Sequence, residues 1–435
     1  MSVTLGIRRE DKNRWERRVP LTPQNVLELK KKYKIETIIQ PSKIRVFSDI
    51  EYQNVGAHVQ DSLSACSHVF AVKEIPIDFF EKGKTYVFFS HTTKGQKCNM
   101  PMLKKMMEKG CTLIDYEKIV DNKGRRLVFF GRFAGLAGML DSLWVFGQRL
   151  QWEQVDSPFN KIKQTIHYKD LDEIKKQVTL VGKTIQTDGL PPSLAPLIIG
   201  FAGYGNVSTG AQEILDLLPI EEITPTEIES ISHNPSNKIV YKVVFKEEHM
   251  VEPLSAGKTF DLQEYYNHPE RYRSAFEHYI PHLSILMNCI YWNVQYPRLV
   301  TKEYLRNSYH NKKRLYLKVI GDISVDVQGA IEITEKTTSS DNPVFVYNPN
   351  TNTIKDGYTG EGVVVMAVDN LPCELPRESS QSFSETLMRF IPEIMNADFT
   401  IADFDELALP SEIKNAVILY QGKLTPAYRY INKFL

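Results

Sequence analysis

The apolar residues of this chain fall in short continuous runs, VTLGIR, ETIIQP, HVFAVK, TYVFFSH and TLIDYE among them. Polar stretches separate the runs, and their few apolar residues recur at helical spacing. Continuous runs bounded by loops predict strands buried on both faces, and strands alternating with helices predict an α/β fold with a parallel sheet. Helices are expected from about Pro23 to Lys32 and from about Met100 to Lys109. Leu136, Leu140, Leu143, Gly147 and Leu150 predict one long helix over 133–150, read as a buried strut between domains. Further on, VTLVGKTIQTDGLPPSLAPL predicts a short strand and a proline-rich approach, while LMNCIYW (286–292) and LYLKVIGDISVD (315–326) predict buried parallel strands. Residues 224–284 are polar and irregular: KIVYKVVFKEEHMVEP reads as a hairpin and HPERYRSAFEHYIPHL as a short helix, so an insertion is expected there. GVVVMAVDNLPCELPRESSQSFSETLMRFIPEIM predicts a strand, a proline turn and a helix that return toward the first part of the chain.

The stretch IIGFAGYGNVSTGAQEILDLL (198–218) carries the strongest chemical signal. An apolar strand enters a glycine turn and leaves as an amphipathic helix. Gly203 and Gly205 can take positive φ and let a pyrophosphate approach the backbone, and the helix opening near Asn206 points free N–H groups at it. Asn206, Val207 and Ser208 follow as the first helical residues at such a site. The third position of a G-x-G-x-x-G pattern is Ser208, with Gly210 two residues later, so a tight glycine turn of an ordinary α/β protein is the competing reading. About twenty residues past the turn, where an acid for the ribose of NAD is expected, stands ITPTEIE (223–229) with Glu227.

Composition narrows the class. The 435 residues, 42% hydrophobic and 24% charged, predict a soluble globular protein of two domains. The 53 basic and 53 acidic residues cancel, which argues against a nucleic-acid surface. Five cysteines without a CxxC pair suggest neither a zinc site nor a disulfide framework, so reduced thiols are expected and no metal. No run is long and apolar enough for a membrane span, and the first residues lack a signal-peptide core. A cytoplasmic location is expected for the chain as given, and a mitochondrial one if a transit segment precedes it.

Candidate chemistry stands at the ends of the early strands. Arg18, in ERRVPLTP, can grip a carboxylate in bidentate fashion, or be a solvated surface arginine. Lys73 directly follows the apolar run VFAV, where burial would lower its pKa and suit it to proton transfer, with Glu74 tuning it; a lysine snorkelling to water is the alternative. His91 ends an aromatic run and can act as acid or base, or be a satisfied structural histidine. Eighteen residues separate Lys73 from His91, a spacing that fits neighbouring strands. Glu117 and Asp369 are strand-end acids that could receive an ammonium group or cap a turn.

The runs RREDKNRWERRVPLTP, FFSHTTKGQKCNM, LIDYEKIVD, GRFAGLAGM, GYGNVSTGAQEI, HPERYRSAFE, IYWNVQYPRL and DNLPCELPRE together resemble the lysine-ketoglutarate reductase domain of α-aminoadipic semialdehyde synthase, over nearly the whole chain. The chain is more distantly similar to fungal lysine-forming saccharopine dehydrogenase and to the alanine dehydrogenase and transhydrogenase superfamily. The resemblance implies two Rossmann-like, doubly wound parallel-sheet domains with an interdomain cleft. The first domain would be discontinuous: 1–132 as its N-terminal part, 133–367 as the dinucleotide domain, and 368–435 as the return completing the first. It further implies reductive condensation of L-lysine with 2-oxoglutarate to saccharopine, with NADPH as reductant and NADH as the alternative. Lys73 and His91 would be the acid–base pair, Arg18 and Arg126 the carboxylate binders, and Glu74, Glu117 and Asp369 supporting or amine-binding acids. Ile290 and Tyr291 would join the glycine turn around the cofactor. A homo-oligomer, or a separate saccharopine-oxidising enzyme as partner, would be compatible with it. An NAD-dependent dehydrogenase running in the lysine-releasing direction and a non-catalytic lysine or nucleotide sensor are the rival readings.

Overall fold

The computed structural model describes residues 4–231, 233, 235–311 and 315–435. The chain divides into two compact units, Met1–Phe130 with Pro376–Leu435, and Gly131–Leu375. The first unit opens with strands β1 (Thr4–Ile7), β2 (Glu36–Ile39), β3 (His58–Val59), β4 (His68–Phe70), β5 (Thr85–Phe88) and β6 (Thr112–Asp115). The second contains β7 (Leu197–Ala202), β8 (Ile220–Ile223), β9 (Val240–Phe245), β10 (Val251–Pro253), β11 (Tyr272–Ser274), β12 (Ile285–Asn288), β13 (Val319–Asp322), β14 (Val344–Asn348), β15 (Thr353–Asp356) and β16 (Val363–Met366). The return adds β17 (Val417–Tyr420) and β18 (Lys423–Leu424) to the first.

Each unit is built on one twisted sheet. In the first the order is β18-β17-β6-β5-β4-β1-β2-β3, parallel from β6 through β3, with β17 antiparallel on β6. In the second it is β15-β14-β16-β13-β12-β7-β9-β8, parallel from β16 through β8 and antiparallel at β14 and β15. Most inner strands are buried along their whole length, as continuous apolar runs in a parallel sheet require.

Several expectations change. VTLVGKTIQTD is the C-terminal part of a helix, Leu171–Asp188, capped by Asp170 and closed by Gly189; its apolar positions Ile174, Val178, Val181 and Ile185 follow a helical period. The segment 224–284 is not wholly an insertion, because β9 is an inner strand paired on one side with β7 and on the other with β8. Only β10 and β11 form a separate antiparallel pair, and HPERYRS yields a short 3-10 turn and a strand rather than a helix. The helix expected over 133–150 runs Gly131–Trp152 and is buried on nearly every side within the second unit's own core, alongside the helix Asn206–Leu215. The return to the first unit starts at Pro376 and not at 368, since Leu371 and Leu375 belong to the second unit's core.

That core also holds two facing carboxyls, Asp141 and Glu374, both buried. Burial first, then the charge of Asp141, holds Glu374 well above its ordinary range, and burial raises Asp141 as well. One shared proton satisfies such a pair. Because the folded chain binds this proton more tightly than the unfolded one, its stabilising contribution is present below the ordinary glutamate range and declines as pH rises through the raised value. The melting temperature is expected to fall as pH rises above the ordinary glutamate range, and Glu374→Gln, which has no such proton to lose, to flatten that slope in a thermal melt followed by circular dichroism.

Candidate active site

The first unit gathers ionisable side chains at the carboxyl ends of neighbouring parallel strands. β4 and β5 pair with Phe70 opposite Val87, so Lys73 and His91 each lie just past the end of adjacent strands. Glu74 links the two loops: its Oε1 is 2.6 Å from Nδ1 of His91, and its Oε2 is 3.0 Å from Nζ of Lys12. Burial raises the Glu74 pKa, but the hydrogen bond and charge of His91, followed by Lys12, outweigh it and hold Glu74 at about 2. His91 adopts a left-handed backbone, φ 48°, with its carbonyl held by Nδ2 of Asn99 at 3.1 Å and its ring stacked on Phe89.

Lys73 is held below the usual lysine range by burial, then by the positive charge of Arg18, with Glu16 opposing. Its loop is pinned by Glu10, a residue the sequence reading passed over, whose carboxyl oxygens accept the N–H groups of Val72 at 2.7 Å and Lys73 at 3.0 Å. Burial and then Glu16 push Glu10 up to about 7, against the lowering effect of those two N–H donors.

Arg18 does not lie open to a substrate. It is 2% exposed, its Nε and Nη2 bond both oxygens of Glu16 at 2.8 and 2.6 Å, and its guanidinium sits 4.2 Å from the Phe130 ring centre. This excludes the surface arginine and engages Nε and Nη2 of the fork with Glu16. At the end of the next strand, β6, Glu117 pairs with Arg126, which is half exposed. Asp115, also unforeseen, accepts the N–H groups of Ser90 at 3.0 Å and Glu117 at 2.8 Å, and so ties together the loops that carry His91 and Glu117. Asp369 belongs to the second unit, where it is exposed just past β16.

The second unit carries the glycine turn. Gly203 has φ +94°, a left-handed conformation that favours glycine, and its N–H closes onto the carbonyl of Phe245 at 3.0 Å. A Cβ there would stand 3.0 Å from Cγ2 of Ile290, whereas one on Gly205 would meet nothing within 4 Å. Gly205 caps the helix Asn206–Leu215. A close-packed first glycine, an open second one and a helix N-terminus form a cradle that fits a pyrophosphate. Ser208 is buried and its hydroxyl accepts from Gln212 at 3.0 Å, so its side chain is engaged within its own helix. Val207 is half-buried. The late glycine is explained by packing: a Cβ on Gly210 would lie 2.0 Å from the carbonyl oxygen of Arg132 in the neighbouring helix. A cavity of about 370 Å³ adjoins the turn, lined among others by Gly203, Gly205, Glu247, Ile290 and Tyr291.

All five cysteines are free thiols. Among the described residues no group of His, Cys, Asp and Glu is arranged to hold a metal ion, and no helix is long and apolar enough to cross a membrane.

Two family models match the chain, alanine dehydrogenase/PNT N-terminal domain over residues 6–137 and alanine dehydrogenase/PNT C-terminal domain over residues 270–427. The α-aminoadipic semialdehyde synthase of Arabidopsis thaliana is 39% identical across 98% of this chain, which spans 41% of that relative. A saccharopine dehydrogenase [NAD(+), L-lysine-forming] of Emericella nidulans is 25% identical over 81% of this chain and 82% of its own length. Among solved structures, an L-alanine dehydrogenase superposes with a TM-score of 0.63 at 18% identity, covering both chains fully, which gives the fold.

Proposed function

Because the chain belongs to the alanine dehydrogenase/PNT family, whose members are nicotinamide-dinucleotide-dependent dehydrogenases, we propose that it is a lysine-ketoglutarate reductase. It joins the ε-amine of L-lysine to the keto carbon of 2-oxoglutarate, with loss of water, and reduces the imine to saccharopine. The observation that carries this reading is the coupled cluster Lys73–Glu74–His91 in a chain aligned almost end to end with an α-aminoadipic semialdehyde synthase.

The condensation needs the substrate amine neutral and an acid for the departing hydroxyl. Lys73, which gives up its proton more readily than an ordinary lysine, is suited to accept one from the substrate ammonium. His91, oriented through Nδ1 by Glu74, then offers its other ring nitrogen to the carbinolamine hydroxyl. Arg126, half exposed, is the cation in reach of a substrate carboxylate, with Glu117 holding it in place. Arg18, locked on Glu16, acts by its charge on Lys73. Asp369 is an open acid for an amine. A bound nicotinamide dinucleotide supplies the hydride, cradled by the backbone at Gly203–Asn206 and flanked by Ile290 and Tyr291. NADPH, which the resemblance implies, and NADH differ only in a phosphate on the adenine-side ribose, so the residues around that ribose decide between them.

The test is loss of reduced-nicotinamide absorbance in the presence of both L-lysine and 2-oxoglutarate, with product identified by mass. Saccharopine is expected, with no turnover when either substrate is omitted. Turnover with ammonia as sole amine donor, or none with lysine, would sink the reading.

A further inference from the structure

The order of strands in the second unit relocates the residue that meets the adenine-side ribose. In a dinucleotide fold that residue follows the strand adjacent to the glycine-turn strand, about twenty residues past the turn. Here the next strand in sequence, β8, is displaced to the sheet edge, and β9 takes the place beside β7. Glu227, which follows β8, is therefore one strand too far out, and its carboxylate is engaged in a capping box with the N–H and hydroxyl of Thr224, both at 2.7 Å. The acid that follows β9 is Glu247.

Glu247 is built into the turn. Its Oε2 accepts the hydroxyl of Tyr204, the residue between the two glycines, at 3.1 Å, and its Oε1 accepts the hydroxyl of Tyr266 at 2.8 Å. It lines the cavity beside Gly203 and Gly205, and it is the one charged side chain among the described residues lining that cavity. Lys246 precedes it but is exposed and lies outside the lining. A carboxylate offers about four acceptor positions, so two tyrosine hydroxyls leave room for the two donors of a ribose diol. A 2′-phosphate has no such donors at neutral pH and carries a charge of about −1.5 to −2, which would meet Glu247 with no cation among the described residues lining the cavity to offset it.

We propose that Glu247 receives the 2′- and 3′-hydroxyls of the adenine-side ribose and makes this chain select NADH over NADPH. The proposal rests on the dinucleotide reading of the glycine turn and deepens it.

The experiment is direct binding of NADH and of NADPH to the full chain, by calorimetry or nicotinamide fluorescence, without substrates. NADH is expected to bind at least about tenfold more tightly, the ratio that losing a charge-assisted hydrogen bond produces. Glu247→Gln, which keeps shape and loses charge, should lower that ratio, and Glu247→Ser should lower it further by admitting the phosphate. Equal or tighter binding of NADPH by the parent, a ratio unchanged in both variants, or loss of NADPH affinity in Lys246→Ala would overturn the assignment of Glu247 while leaving the dinucleotide site intact. Binding of neither nucleotide would overturn the site itself. Thermal melts of each variant separate these outcomes from misfolding.

Discussion

Replacing Lys73 by Met is expected to cut kcat for lysine plus 2-oxoglutarate by about 10²–10⁴-fold while leaving dinucleotide affinity unchanged. Met keeps an unbranched apolar side chain out to the ε position and lacks the proton-carrying nitrogen. The loss should appear in kcat rather than KM, because Lys73 acts on a proton in flight. Stability gives an independent check with a definite sign. A lysine held below its ordinary pKa binds its proton less tightly folded than unfolded, so it costs stability at neutral pH, a cost that fades as pH rises through the unfolded value. Lys73→Met should therefore melt at the same temperature as the parent or higher. A fall in both kcat and melting temperature would make Lys73 structural instead.

The second large effect concerns Gly210→Ala. In an exposed helix that exchange stabilises by about 1 kcal/mol. Here the new methyl would stand 2.0 Å from the carbonyl oxygen of Arg132, and the reciprocal contact is as close, since a Cβ on Gly135 would lie 2.0 Å from the carbonyl oxygen of Val207. Backbone faces backbone at both points, so no side chain can rotate aside. The two helices must separate, at a cost of about 3 kcal/mol or more, and calorimetric melting should fall by several degrees. Gly205→Ala is the contrast five residues away. Its methyl meets nothing within 4 Å and its φ of −80° suits any residue, so the melt should not change, while dinucleotide binding weakens because the phosphate's approach is obstructed. Equal melting losses in the two variants would refute this division of labour between the glycines.

What the sequence disclosed follows from what periodicity encodes. Continuous apolar runs marked β1, β2, β4, β5, β6, β12, β13 and β16, because inner strands of a parallel sheet are apolar on both faces. The glycine turn was legible because Gly203 needs a conformation few other residues accept. Strand order was not, since the runs at Ile220–Ile223 and Val240–Phe245 do not reveal which lies beside β7. That omission turned an inner strand into half of a hairpin and pointed to Glu227 instead of Glu247. In the first unit the strand-end logic led to Lys73, His91, Glu74 and Glu117. It missed Glu10 and Glu16 because a charged run such as REDKNRWERR resembles a solvated face, whereas both acids are buried. Arg18 was noticed for a chemistry the fold uses: its fork grips a carboxylate of its own chain, that of Glu16.

Lys73, buried beside the positive charge of Arg18, holds its proton less tightly than an ordinary lysine does. Lysine-labelled protein titrated by carbon-detected NMR, with the Lys73 ε-carbon signal assigned by its disappearance in Lys73→Arg, measures this without any catalysis. The transition is expected below the ordinary lysine value of about 10.4. A Lys73 signal that titrates at or above that value would contradict it.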